Sequence, residues 1–149
     1  MTIVHRTRAD LATRPIAAAI TTRGKELSID DTVADARRLL ATRAVRVVPV
    51  LDGAAYVGAV DRDTVGGADP SAAVGPLAAA LVPTALAATP ATEALAALDR
   101  HDGKRLVILA GDDATYVGLV CLRGDRERLC VDAELAHDPT ALPIERTPL

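Results

Sequence analysis

The chain has 149 residues, 50% of them hydrophobic, and a formal net charge of −3. That is enough for one ordinary domain or two half-size ones, and too little positive field for a general polyanion binder. With two Tyr and no Phe or Trp it lacks the stacking platform of a single-strand nucleic-acid binder, and its core must come from Ala, Val, Leu and Ile.

Taken in chain order, MTIVHRTRAD has no apolar signal core, so a cytoplasmic location is expected, and residues 1–13 read as an N-terminal arm. RPIAAAI (Arg14 to Ile20) predicts a short helix. Asp30, Asp31 and Thr32 offer capping oxygens to a helix whose apolar face is Val33, Ala36, Leu39 and Leu40. VRVVPVL (Val45 to Leu51) and AAYVGAV (Ala54 to Val60) read as strands joined at Asp52-Gly53, a strong hairpin signal. DRDTV (Asp61 to Val65) starts a polar helix, and GGADPSAAV (Gly66 to Val74) reads as a linker.

GPLAAAL (Gly75 to Leu81) opens a second series. Thr89 can cap ATEALAAL (Ala91 to Leu98) with Pro90 at the first helical position, and Gly103 can end that helix. RLVILA and TYVGLV are strands joined through GDDA, and GDRER (Gly124 to Arg128) reads as a solvated charged face. The tail, residues 134–149, includes three prolines and reads as irregular. No apolar run approaches a membrane span. Cys121 and Cys130 are too few for a CxxC zinc cluster and read as reduced, partly buried thiols. His5, His101 and His137 show no metal-ligand spacing. No Ser/His/Asp set, GxGxxG or Walker loop is present, so no catalytic activity is expected.

The two series are copies of one unit. Arg14–Ile20 returns as Gly75–Leu81, 61 positions on; Val33–Leu40 returns as Ala91–Leu98 at 58; Val45–Leu51 returns as Lys104–Ala110 at 59; and the two YVG triplets lie 60 apart. Four blocks in one order with drifting offsets indicate duplication with loop indels. The boundaries are 14–68 for the first unit, 69–74 for the linker and 75–133 for the second. A unit of this size is marginal alone, so two packed side by side are expected.

Arg46 with Val48-Pro49-Val50-Leu51-Asp52, followed by Gly58-Ala59-Val60 and a polar helix start, resembles the CBS domain. The second copy keeps Arg105 and Gly118-Leu119-Val120, with Ile108 where the proline would be, and the pair resembles a Bateman module over roughly residues 14 to 133. The resemblance implies an α+β fold of two pseudo-symmetric βαββα units, each a three-stranded sheet with two helices. It also implies a regulatory module that binds AMP, ATP, S-adenosylmethionine or adenosine between the copies, requires no cofactor, and associates as a homodimer or with a protein partner acting in trans. Neither nucleic acid nor membrane is an expected partner.

The family's ligand signature after the last strand is Gly, two apolar residues, Ser or Thr, two variable residues, then Asp. In the first copy those two polar positions are Asp61 and Thr64, a swap; in the second they are Cys121 and Gly124. Asp61 would cap the helix start and place a negative charge at the anion position. The candidate ligand contacts are therefore Arg46, Asp61, Arg62, Thr64, Arg105, Cys121 and Arg123. Arg46 and Arg105 read equally well as surface arginines covering apolar neighbours, and Cys121 as a reactive thiol at a helix start or a structural one. Two functions stay open: sensing an adenosine-containing ligand with little phosphate, or a ligand-free pair kept for dimerisation or docking.

Overall fold

The computed structural model describes residues 3–21, 26–101 and 103–132; the tail expected to be irregular, and His137 within it, lie outside the described residues. Contacts divide the described chain into a unit of residues 26–82 and a unit joining residues 3–21 to 83–132.

The unit of residues 26–82 contains strand β2 (Leu27–Ser28), helix α1 (Val33–Leu40), strands β3 (Val48–Asp52) and β4 (Ala55–Val60), helix α2 (Arg62–Val65) and a 3-10 turn, Gly75–Leu77. Its sheet runs β2-β3-β4, the first pair parallel and the second antiparallel. Thr32 caps α1: its Oγ1 accepts from the Asp35 N–H at 3.2 Å, while Asp35 Oδ2 accepts from the Thr32 N–H at 3.0 Å. This reciprocal pair satisfies two of the N–H groups a helix start leaves open. Val33, Ala36 and Leu40 then fall on one buried face against Val48, Val50, Val60 and Val65. Pro49 is tolerated inside β3 because pairing with β2 begins only at Val50, and its β4 neighbour, Ala59, turns its N–H and C=O to Ala79. The segment read as a linker is tied to α1: Pro70 and Ala72 carbonyls accept from the Ala34 and Val33 N–H groups at 2.9 and 2.8 Å.

The other unit begins with strand β1 (Ile3–Thr7), where the sequence suggests only an arm. After 3-10 turns at Ala9–Leu11 and Ile16–Ala19 it resumes with β5 (Thr84–Leu86), helix α3 (Ala91–Leu98), β6 (Arg105–Leu109), β7 (Tyr116–Leu122) and β8 (Arg128–Asp132). The sheet is five-stranded, in the order β1-β8-β7-β6-β5. The α+β class and the helix–strand–strand core of the repeat are as expected. The second unit differs in having five strands for three and no helix after its last repeat strand. Glycine at position 124, a left-handed Arg126 (φ 58°) and the alternation of buried Leu129 and Val131 favour a hairpin there. Asp125 Oδ1 holds the turn by accepting from the Glu127 and Arg128 N–H groups, both at 3.0 Å, so GDRER is a hairpin loop. Helix α3 has Pro90 at its cap position in place of Thr89, its first N–H donating to the Arg14 carbonyl at 2.9 Å. It ends at Leu98 with Asp99 as C-cap, well before Gly103.

The repeats of the sequence and the units of the structure do not share boundaries. The leading segment Ile16–Ala19 packs with α3 and the second copy's sheet, and Gly75–Leu77 packs with the first copy's β4. The glycines of the two YVG triplets make room for this exchange. A Cβ on Gly58, at φ +152°, would lie 2.9 Å from the Ala79 nitrogen; one on Gly118 would lie 3.0 Å from Ile20 Cβ. Each glycine is thus kept small by the leading segment of the opposite copy.

Candidate functional site

At the end of β4, Asp61 and Thr64 lock onto each other. Asp61 Oδ1 accepts from the Thr64 N–H at 2.9 Å, and Thr64 Oγ1 accepts from the Asp61 N–H at 2.8 Å. The Thr64 hydroxyl also donates to the Asp61 carbonyl at 2.9 Å. The swap read in the sequence therefore makes a closed capping box. The carboxylate sits where a phosphate would meet the helix start, and both polar side chains are already engaged.

Arg62 does not face that position. Its Nη2 donates to the Leu40 carbonyl and, at 3.0 Å, to the Thr42 carbonyl, closing the C-terminus of α1. Arg37 of α1 answers from the other side, with Nη2 donating to the Val65, Gly66 and Ala68 carbonyls at 2.7, 3.2 and 2.8 Å. Each helix thus supplies the arginine that satisfies the other's open carbonyls. Arg37 was legible only as a polar position of an amphipathic helix. Arg46 is exposed, just ahead of β3, and is not hydrogen-bonded to Asp61 or Thr64.

At the end of β7, Cys121 lies inside the strand, directly opposite Arg105 of β6 on one side and Cys130 of β8 on the other. No helix start follows, so neither a capped phosphate site nor a helix-activated thiol forms at Cys121. Arg105 is half-buried and donates to the Lys104 carbonyl at 3.3 Å. Arg123 is exposed; its Nη1 donates to Cys130 Sγ at 3.7 Å and lies 3.1 Å from His5 Nε2. The structure therefore brings Arg105, Cys121 and Arg123 to one end of one sheet, and keeps Arg62 away from Asp61 and Thr64.

Further residues of this unit emerge only from the structure. Thr21 is 3% exposed, and its Oγ1 is buried with no hydrogen-bond partner among the described residues, although its backbone N–H donates to the Leu119 carbonyl at 2.8 Å. Arg126 donates to the Leu98 and Gly103 carbonyls at 3.4 and 3.3 Å and to Asp99 at 3.2 Å. Arg8 meets the same carboxylate through both Nη atoms, at 2.9 and 2.6 Å. These guanidiniums, Arg8 first, hold the Asp99 carboxyl below its ordinary range. Among the described residues no group of three His, Cys, Asp or Glu could hold a metal ion. None of their helices is long and apolar enough to cross a membrane.

No protein-family model matches the sequence, and no curated protein matches it. Solved structures do match its fold. The cystathionine beta-synthase pair domain of a candidate Mg2+ transporter from Shewanella oneidensis MR-1 superposes with a TM-score of 0.58 at 23% identity, over 65% of this chain and 58% of that one. CBSX2 in complex with AMP gives 0.61 at 21% identity, over 75% and 92%. The CBS domain of a bacterial CNNM/CorC family Mg2+ transporter in complex with ATP gives 0.59 at 18%, over 77% and 86%.

Proposed function

Because the chain carries the fold of a tandem CBS-domain pair, we propose that it is a regulatory module working by protein association, with a second copy or another chain, and without nucleotide phosphate. One observation carries this reading: the reciprocal Asp61–Thr64 cap. A phosphate arriving at α2 would have to displace Asp61 from the Thr64 N–H and then meet the carboxylate at close range. A hydrogen bond to a charged group is worth about 1.5–3 kcal/mol, so opening the cap and losing the ribose-binding Asp together weaken binding by several powers of ten. After its last repeat strand the second copy continues, among the described residues, into β8 and not into a helix start.

A second reading, an adenosine-containing ligand with little phosphate, draws support from the nucleotides bound to two structural neighbours and from the buried Thr21 hydroxyl, which has no partner among the described residues. A thermal-shift panel of adenosine, S-adenosylmethionine, AMP and ATP separates the two. A ligand at a hundred times its Kd adds about 2.7 kcal/mol of stability. The association reading expects no shift from any of them at millimolar concentration, and a dimeric or larger mass in light scattering or a copurifying partner chain. A shift from adenosine or S-adenosylmethionine alone would favour the second. A shift of the unmodified protein with AMP or ATP would refute the self-occupied site. The double change Asp61→Thr with Thr64→Asp should restore a response to AMP while leaving stability within about 1 kcal/mol, since either order can form a cap.

A further inference from the structure

We infer that Cys121 and Cys130 form a reversible disulfide by exchange with a low-molecular-weight disulfide. The two residues are directly opposed in the antiparallel β7–β8 pair, so their side chains leave the same face of the sheet. The Arg123 N–H donates to the Arg128 carbonyl at 2.8 Å, which marks that opposition as hydrogen-bonded. Two positions along, Cys121 and Cys130 are therefore also a hydrogen-bonded pair, with Cα atoms about 5.5 Å apart, inside the span a disulfide accepts. Their neighbours Leu122 and Leu129 point the other way, into the core, so the bond would form on the opposite face of the sheet.

The surroundings fit an exchange site. Cys121 is partly exposed and Cys130 is buried at 9%, which makes Cys121 the thiol a small reagent reaches first. The attacking species in such an exchange is a thiolate, and the Arg123 guanidinium lies beside Cys130 Sγ. His5, opposite Cys130 on β1, and Arg105, opposite Cys121 on β6, complete a row that contains no carboxylate. In the reaction, Cys121 gives its proton to solvent and its sulfur attacks one sulfur of the small disulfide. That forms a mixed disulfide and releases one thiolate, which takes up a proton. Cys130, deprotonated in turn, attacks the Cys121 sulfur and expels the second small thiol. Two protein thiols are oxidised and one small disulfide is reduced to two thiols.

Geometry also sets the character of the bond. Opposed Cβ atoms in a sheet lie about 4.5–5.5 Å apart, whereas a disulfide holds them at about 3.5–4.5 Å. The strands must close by roughly 1 Å, and a bond under such strain is readily reduced. The β7–β8 pair, which stands where the sister unit has a helix, is then tied or released by the thiol balance around it.

The test incubates the folded full chain with graded mixtures of reduced and oxidised glutathione, blocks remaining thiols with iodoacetamide under denaturing conditions, and measures intact mass and peptide map. The expected result is a chain lacking two hydrogens, with no alkyl or glutathione adduct, a linked Cys121–Cys130 peptide, and full reversal by dithiothreitol. Cys130→Ser should instead trap glutathione on Cys121. A stable mixed disulfide on the unmodified chain, cross-linked chains, or two alkylated cysteines at every ratio would overturn the inference, as would failure of Cys130→Ser to take up glutathione while still folded.

Discussion

After β4 the chain turns into a one-turn helix; after β7, at the equivalent point of the repeat, it turns back as a fifth strand. Yet one task is performed at both ends. Arg62, from α2, closes the C-terminus of α1 through the Leu40 and Thr42 carbonyls; Arg126, from the hairpin turn, reaches the C-terminus of α3 at the Leu98 carbonyl and the following loop at the Gly103 carbonyl. A helix end must have its carbonyls satisfied, but the constraint names a donor and not the backbone that carries it. The repeat position of Arg62 is Leu122 in the second copy, so the duplicated units keep the contact, not the position, of the arginine while exchanging helix for strand.

The largest effects should come from what the units share, the exchanged leading segments. Gly58→Ala meets both a positive φ and the backbone of Ala78 and Ala79, and should cost about 2–4 kcal/mol. Gly118→Ala meets only the Ile20 side chain and should cost about 1–2 kcal/mol. Urea unfolding of the two variants ranks them. If Gly118→Ala were the more damaging, crowding alone, and not backbone conformation, would govern the exchange.

The arginines come next. Arg62→Ala should cost about 1–2 kcal/mol, because it leaves two carbonyls at a helix end to find water. Arg126→Ala should cost about 1 kcal/mol or less, since its bonds are long and its side chain is 32% exposed. Arg126→Gly should do less harm than Arg126→Ala, because glycine relieves the left-handed backbone at that position. Equal losses at Arg62 and Arg126 in thermal unfolding would mean that the one-turn helix adds nothing to the arginine it carries.

The first repeat was legible because its signals are local: the capping oxygens of Asp30, Asp31 and Thr32 ahead of an apolar helix face, Asp52-Gly53 between two apolar runs, Asp61 at the start of a polar helix. The sequence places Asp61 as a cap but leaves Thr64 as a candidate ligand contact; that Thr64 closes back on Asp61 emerges only from the structure. What the sequence did not disclose depends on distant partners. RLCVD alternates as a strand should, but its partner on one side is IVHRT near the other end of the chain, and a five-residue alternation does not announce where it pairs. The exchange of RPIAAAI and GPLAAAL was hidden for a different reason. Similar segments suit either sheet, and only packing against Gly58 or Gly118 decides between them. In the sequence Arg62 reads as a candidate ligand contact and Arg37 is not singled out, because the carbonyls they reach are set by packing and not by sequence.

The smallest effect concerns acid, and it tests whether the hairpin turn is held by charge or by shape. The Glu127 and Arg128 N–H groups and the Arg128 guanidinium hold the Asp125 carboxyl well below the usual carboxylate range. An unfolded Asp titrates near 3.9. With the folded value depressed, the unfolded chain binds the proton first as pH falls. The contribution of Asp125 is then complete above about pH 3.9 and is lost as pH drops through its folded value. Asp125→Asn keeps an oxygen for the two N–H groups but has no charge to lose. Urea unfolding of both proteins across an acid series should show the wild type ahead by a constant margin above about pH 5 and the margin shrinking below about pH 4. Because Asp125 is exposed, the margin should be small and fall further in salt. A margin that widened on acidification, or one absent at neutral pH, would show that the turn is set by Gly124 and the left-handed Arg126 alone, with the Asp125 charge contributing nothing to the strand that replaces the helix.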